Sequence, residues 1–333
     1  MSKLRIGLPQ ALVYYYYFPF WEKFFTSLGF EVVVSEPTNG KMLEKGIKVT
    51  VHELCVPIKI FNAHVINLME KNVDYIFVPR FISVRDEYFC PKFLGLVEMV
   101  KFSIPHSEDK LLTFDISVKK DDYGEVSSYY QLADKLNITK KQIKSAYNEA
   151  KEYFEKFRAL SKQGWTINEV KQIINSTNLV GEGLAPPVKS ELTIGVMGYV
   201  YNVYDKFVSM DILKRLREKG IKIVTFEMLD DKIIENPKED KNKPLFWIFA
   251  RKIYNAGRYL IQNKMIDGMI HVTAFACGPD SVIGKMFETD FMDSGIPFMT
   301  IRVDEHTGEN HLQTRIEAFT DMLTRKKKRA ANN

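Results

Sequence analysis

Three cysteines in 333 residues are too few for a disulfide framework. A chain this poor in cysteine keeps them for metal binding, for catalysis or for plain burial. Long apolar runs are missing too. The longest uncharged stretch, Ile6 to Trp21, holds two prolines and four consecutive tyrosines, which excludes a membrane span. No basic segment followed by an apolar one opens the chain, so an export signal is not expected and a cytoplasmic protein is. Neither G-x-x-x-x-G-K-[ST] nor G-x-G-x-x-G occurs, which removes the two familiar glycine-rich phosphate cradles. Charge of one sign is also scarce. The formal balance is +5, part of it from "RKKKR" at 325–329, and residues 326–333 are expected to be a solvated, frayed tail and not a nucleic-acid patch.

What is present is an alternating pattern written twice. "LRIGLP" (4–9) is a short apolar strand, "YYYYFPFWEKFFTSLG" a helix closing at Gly29, and "FEVVVSE" (30–36) a second strand. "LTIGVM" (192–197) restarts the pattern, with a helix closing at Gly220 and then "IKIVTFE" (221–227). Trp21 and Phe25 precede Gly29 by the offsets at which Ile212 and Leu216 precede Gly220. "KNVDYIFVP" (71–79) is answered by "KMIDGMIHV" (264–272), and fourth strands follow in "LLTFDIS" (111–117) and "PFMTIRV" (297–303). Strands alternating with helices predict two Rossmann-like parallel-sheet α/β domains related by internal duplication. The expected boundaries are 1–117 for the first domain, 118–190 for a helical segment and linker, and 191–325 for the second domain. In the middle segment Thr139 and Gln142 form a candidate capping box. It opens a helix whose apolar stripe runs through Ile143, Tyr147, Ala150, Phe154, Phe157 and Leu160.

Each cysteine has a proline one or two positions after it: Pro57 after Cys55, Pro91 after Cys90 and Pro279 after Cys277. Proline is favoured in the first turn of a helix, so all three thiols are expected where a helix opens, a position that favours the thiolate. Cys90 and Cys277 follow the third strand of their halves, and Cys55 opens the helix before it. If the two domains face one another, the three would converge at a cleft. Spacing leaves the object they hold open. Zinc would need a fourth ligand, for which His52 is the candidate. Soft thiolates also select iron–sulfur clusters. Inert burial is the plain alternative.

The stretches "IGLPQALVYYYYFPFWEKFFTSLGFEVVVSEPTN", "ELCVPIKIF", "FVPRFISV", "YFCPKFLGL", "ACGPDS" and "DEHTGENHLQTRIEAFTDML" resemble the acyl-CoA dehydratase activase-related proteins. Those are similar to the catalytic subunits of the 2-hydroxyacyl-CoA dehydratase and benzoyl-CoA reductase superfamily. The resemblance implies a [4Fe-4S] cluster bound by Cys55, Cys90 and Cys277, with one iron open to a small-molecule substrate. It also implies low-potential electrons from a separate ATP-dependent activase of actin-like fold. Nothing in the chain resembles that activase's nucleotide site, so the chain is not expected to be an ATPase itself. The expectation is therefore an oxygen-sensitive iron–sulfur protein of an anaerobe, the electron-accepting reductase or dehydratase-like component. The alternatives are a non-catalytic electron carrier or scaffold, and a zinc-bound or metal-free α/β binding module. A homo- or hetero-dimer is compatible with each; nucleic acid and membrane partners are not expected.

Polar residues accompany the cysteines. "VDEHTGE" (303–309) follows the last strand and offers Asp304, Glu305 and His306 as candidate acid–base groups, with Glu309 close by. Arg80 and Arg85 precede Cys90 and would offset the charge of a thiolate site or meet an anion, or else form surface ion pairs. Tyr14–Tyr17 and Tyr199, Tyr201 and Tyr204 follow the first strands and are expected mostly to pack.

Overall fold

The computed structural model describes residues 3–84, 87–119, 123–176, 191–235, 245–305 and 309–331. The chain divides into two compact units, 1–159 with 246–248 and 160–245 with 249–333. The division at 159/160 falls inside the helix Lys140–Lys162. Among the described residues no helix is long and apolar enough to cross a membrane.

In the first unit β1 (Arg5–Leu8), β2 (Glu31–Val34), β3 (Tyr75–Phe77) and β6 (Leu111–Leu112) form a parallel sheet in the order β2-β1-β3-β6. The helix Tyr14–Ser27 covers it, burying Trp21 and Phe25 against Phe77 with ring centroids 5.2 and 5.1 Å apart. It ends as its glycine predicts. Gly29 takes φ +88°, Gly29 N–H donates to Thr26 O and Phe30 N–H to Phe25 O, which satisfies carbonyls the helix leaves over. The apolar stripe of Lys140–Lys162 is buried, and its capping box is present: Gln142 N–H donates to Thr139 Oγ1 at 3.2 Å and Thr139 N–H to Gln142 Oε1 at 2.9 Å. A smaller sheet, β5-β4-β7, is built from β4 (Arg80–Val84), β5 (Glu87–Tyr88) and β7 (Asp115–Val118). The stretch 111–117 is thus two strands in two sheets.

The second unit repeats the plan. β8 (Thr193–Met197), β9 (Lys222–Val224), β10 (Gly268–Ala274) and β11 (Phe298–Val303) lie parallel in the order β9-β8-β10-β11. Gly220 takes φ +70° with the same pair of closing bonds, to Arg217 O and Leu216 O. The repeated Lys-x-apolar-Asp motif has one job in both units. Asp74 accepts from Arg5 N–H at 2.7 Å through its carboxylate and donates its own N–H to Arg5 O; Asp267 does the same with Thr193, again at 2.7 Å. Each aspartate clasps the start of the first strand to the start of the third.

The tail departs from expectation. The helix Glu309–Ala331 continues through the basic run, with Lys326 Nζ on Gly295 O and Lys327 Nζ on both carboxylate oxygens of Asp267.

Candidate functional site

All three cysteines stand at helix N-caps with proline in the first turn: Cys55 before Val56–Glu70, Cys90 before Pro91–Leu94, Cys277 before Gly278–Ser294. Cys55 and Cys90 are half-buried in the first unit; Cys277 is buried in the second.

The loop that carries Cys55 is fixed from both sides. Lys59, buried one turn into its helix, reaches back with Nζ to His52 O at 3.0 Å. Asn62 Nδ2 donates to Thr50 Oγ1, whose hydroxyl donates in turn to Gly46 O. The Cys90 loop is set by the β4–β5 hairpin, which pairs Ser83 with Tyr88 and Val84 with Glu87. Below it, Phe89 and Phe93 pack on Phe81 with centroids 4.8 and 6.1 Å away.

The two thiols share an environment. Burial pushes both above the usual thiol range. A charge on Cys90 raises Cys55 further, while the Lys92 cation and nearby N–H groups, Ile58 for Cys55 and Lys92 for Cys90, pull the other way. The Ile58 N–H donates to the Cys55 carbonyl oxygen at 3.0 Å, and the Cys55 side chain makes no capping hydrogen bond. The helix opening does favour the thiolate as the sequence suggested, but desolvation outweighs it. Both groups rest as neutral thiols.

In the second unit a buried polar chain lies at the carboxyl ends of β8 and β10. His271 Nε2 meets Asp280 Oδ1 at 2.9 Å, and Asn202 Nδ2 donates to Asp280 Oδ2 at 3.3 Å. All three side chains are fully buried. Asp280 stands in the first turn of the helix capped by Cys277. Sequence reasoning missed this chain. Its signal was a single histidine inside the otherwise apolar "GMIHVTA" strand.

The other candidates separate. Asp304 and Glu305 occupy the turn after β11, half-buried; His306 and Arg85 lie outside the described residues. Arg80 is ion-paired to Asp115 at 3.2 Å and to Glu98. His52 is exposed. The tyrosines are buried in packing, Tyr17 stacked on Phe81 and Tyr199 on Tyr201. Tyr204 donates its hydroxyl to the buried Glu227, and burial with that carboxylate drives its acidity far down.

Two doubly wound α/β units, with two thiol-capped helices in the first and one in the second, define a cysteine-bearing protein of the Rossmann-like class. Residues 5–229, more than half of the chain, match the family described as CoA enzyme activase uncharacterised domain (DUF2229), and the chain belongs to that family. Comparison with curated proteins gives no match.

These findings overturn the expected function. The family is named for the activator of a CoA enzyme, not for the electron-accepting iron–sulfur component. Among the described residues no group of three or more His, Cys, Asp or Glu side chains is placed to hold a metal ion. The iron–sulfur, metal-binding and electron-transfer character expected of the chain falls with it.

Proposed function

We propose that the chain works on the activator side of a CoA-enzyme system, on a partner enzyme of the 2-hydroxyacyl-CoA dehydratase kind, with Cys55 and Cys90 as its contact chemistry. The observation that carries this reading is the match of residues 5–229 to an activase domain, which spans both thiol loops. The geometry agrees with it. Two thiols kept neutral by burial, each with N–H groups and the Lys92 cation beside it to stabilise a thiolate, would give up their protons to a base that the partner brings. Apolar side chains near them in sequence, Val51, Tyr88 and Leu94, are exposed, as a docking surface requires. The likeness to dehydratase catalytic subunits then reflects a shared two-unit frame on which a different role was built.

The test is reconstitution. A purified dehydratase, its ATP-hydrolysing activator and a reductant are assayed for turnover with and without this chain. Turnover is expected to rise on adding the chain, and to fall at least tenfold from that level with the Cys55→Ser/Cys90→Ser double variant. Turnover that is indifferent to the chain sinks the reading.

A further inference from the structure

Cys55 and Cys90 cap two helices of the first unit that come together near their opening turns. Phe61, six residues beyond Cys55, lines the same narrow space as Phe93 and Leu96, three and six residues beyond Cys90. That space has room for about 20 Å³, so the side chains around it lie close to one another. Past Phe93 the chain continues into the helix Leu96–Ser103, which packs on Val56–Glu70. The charge of Cys90 reaches Cys55, and the Lys92 cation reaches both sulfurs. Both cysteines are half-buried, so each keeps some surface in solvent, and residues 51–53 that lead to Cys55 are exposed.

Two neighbouring thiols have a chemistry that one alone lacks. Neither side chain makes a capping hydrogen bond to its helix, so joining the sulfurs breaks no cap. One of the pair, as thiolate, attacks a small-molecule disulfide R–S–S–R, forming Cys–S–S–R and releasing R–S⁻. The other, as thiolate, attacks the cysteine sulfur of that mixed disulfide, closes the bond between Cys55 and Cys90 and releases the second R–S⁻. The protons lost from the two cysteines end on the two R–SH. The pair is oxidised by the two electrons that reduce R–S–S–R. Because the second attack is intramolecular, nearness favours it over a further attack from solution.

We propose that Cys55 and Cys90 are a redox pair, which a small-molecule disulfide converts to an intramolecular disulfide, withdrawing both thiols from the partner enzyme. The consequence for the partner rests on the activator reading; the chemistry of the pair does not.

The test uses the full chain and 2-hydroxyethyl disulfide as the oxidant, at about pH 8 where thiolate is supplied. After reaction the remaining thiols are alkylated under denaturing conditions, and the chain is digested without reduction and read by mass spectrometry. A peptide pair joined through Cys55 and Cys90 is expected, with about two mercaptoethanols released per chain, as the balance requires. Cys277, buried in the second unit, is expected to be recovered alkylated. Dithiothreitol should restore both thiols. In Cys90→Ser the reaction should stop at a mixed disulfide on Cys55, and in Cys55→Ser at one on Cys90. Mixed disulfides that persist on both cysteines of the natural chain overturn the proposal. So does a bond that joins two chains or includes Cys277, and so does a pair that fails to react. The natural chain decides this alone if a serine variant does not fold. Pairing in a chain that leaves dehydratase turnover unchanged keeps the redox pair and sinks the activator reading. Persistent mixed disulfides in a chain that raises turnover while reduced do the reverse.

Discussion

His64 lies fully buried between two hydroxyls, Ser35 Oγ 2.7 Å from Nδ1 and Thr38 Oγ1 2.9 Å from Nε2. It joins the end of β2 to the helix that Cys55 caps. Burial lowers its pKa to about 3, from 6.5 when exposed. The folded chain thus binds a proton less readily than the unfolded one. The contribution of neutral His64 is complete above pH 6.5 and drains away as pH falls toward 3. By pH 4 the loss is about 3 kcal/mol. Urea unfolding at pH 7 and pH 4 is expected to show that much more acid sensitivity in the natural chain than in His64→Gln; equal sensitivity would refute the assignment. The thiols of Cys55 and Cys90 follow the same physics with the opposite sign of charge. For them too, burial favours the neutral form.

Helices Gly40–Val49 and Val56–Glu70 cross at Gly46, where a Cβ would stand 2.0 Å from Lys59 O and 3.0 Å from the Ala63 Cβ. The close approach is backbone on backbone, so no rotamer change relieves it. Gly46→Ala is expected to cost at least about 2 kcal/mol, by the logic of overpacking. Gly40→Ala, at a position with open space around it, should be neutral or slightly stabilising. Thermal melts of the two variants that coincide would contradict this packing account. Gly46 was not legible in the sequence, because nothing local to it announces the crossing. The glycines that close helices were legible, since Gly29 and Gly220 follow strong apolar periodicity and need a positive φ. The proline-marked N-caps were legible for the same local reason. The division of 111–117 into β6 and β7 was not. One apolar run serves two sheets there, and the choice is made by partners far away, Phe77 for Leu112 and Phe81 for Ile116. The protonation of the thiols also escaped the sequence. It depends on how much protein surrounds each sulfur, which a helix-opening proline does not reveal.

Both units share one strand order, one helix-closing glycine and one aspartate clasp, and these carry the duplicated frame. The chemistry-bearing residues do not repeat. The first unit has a thiol pair with Lys92, whereas the second has His271, Asp280 and Asn202 buried beside a single thiol. That asymmetry limited how far the site could be read from the repeat. In the second unit Lys327 pairs with the clasp carboxylate of Asp267 at 2.9 and 3.0 Å. Five consecutive basic residues would be cut by trypsin almost at once in a frayed tail. In a helix so tied, cleavage waits for local opening. A timed digest read by mass spectrometry is expected to leave 325–329 intact far longer than a free peptide of that sequence. Asp267→Asn should hasten cutting a few-fold, as a partly exposed ion pair allows; clipping of the natural chain at the free-peptide rate would refute the tie. The same carboxylate that joins the first and third strands of the unit thus also guards the end of the chain. How long the basic run survives protease becomes a readout of sheet integrity, taken from outside without a label in the core.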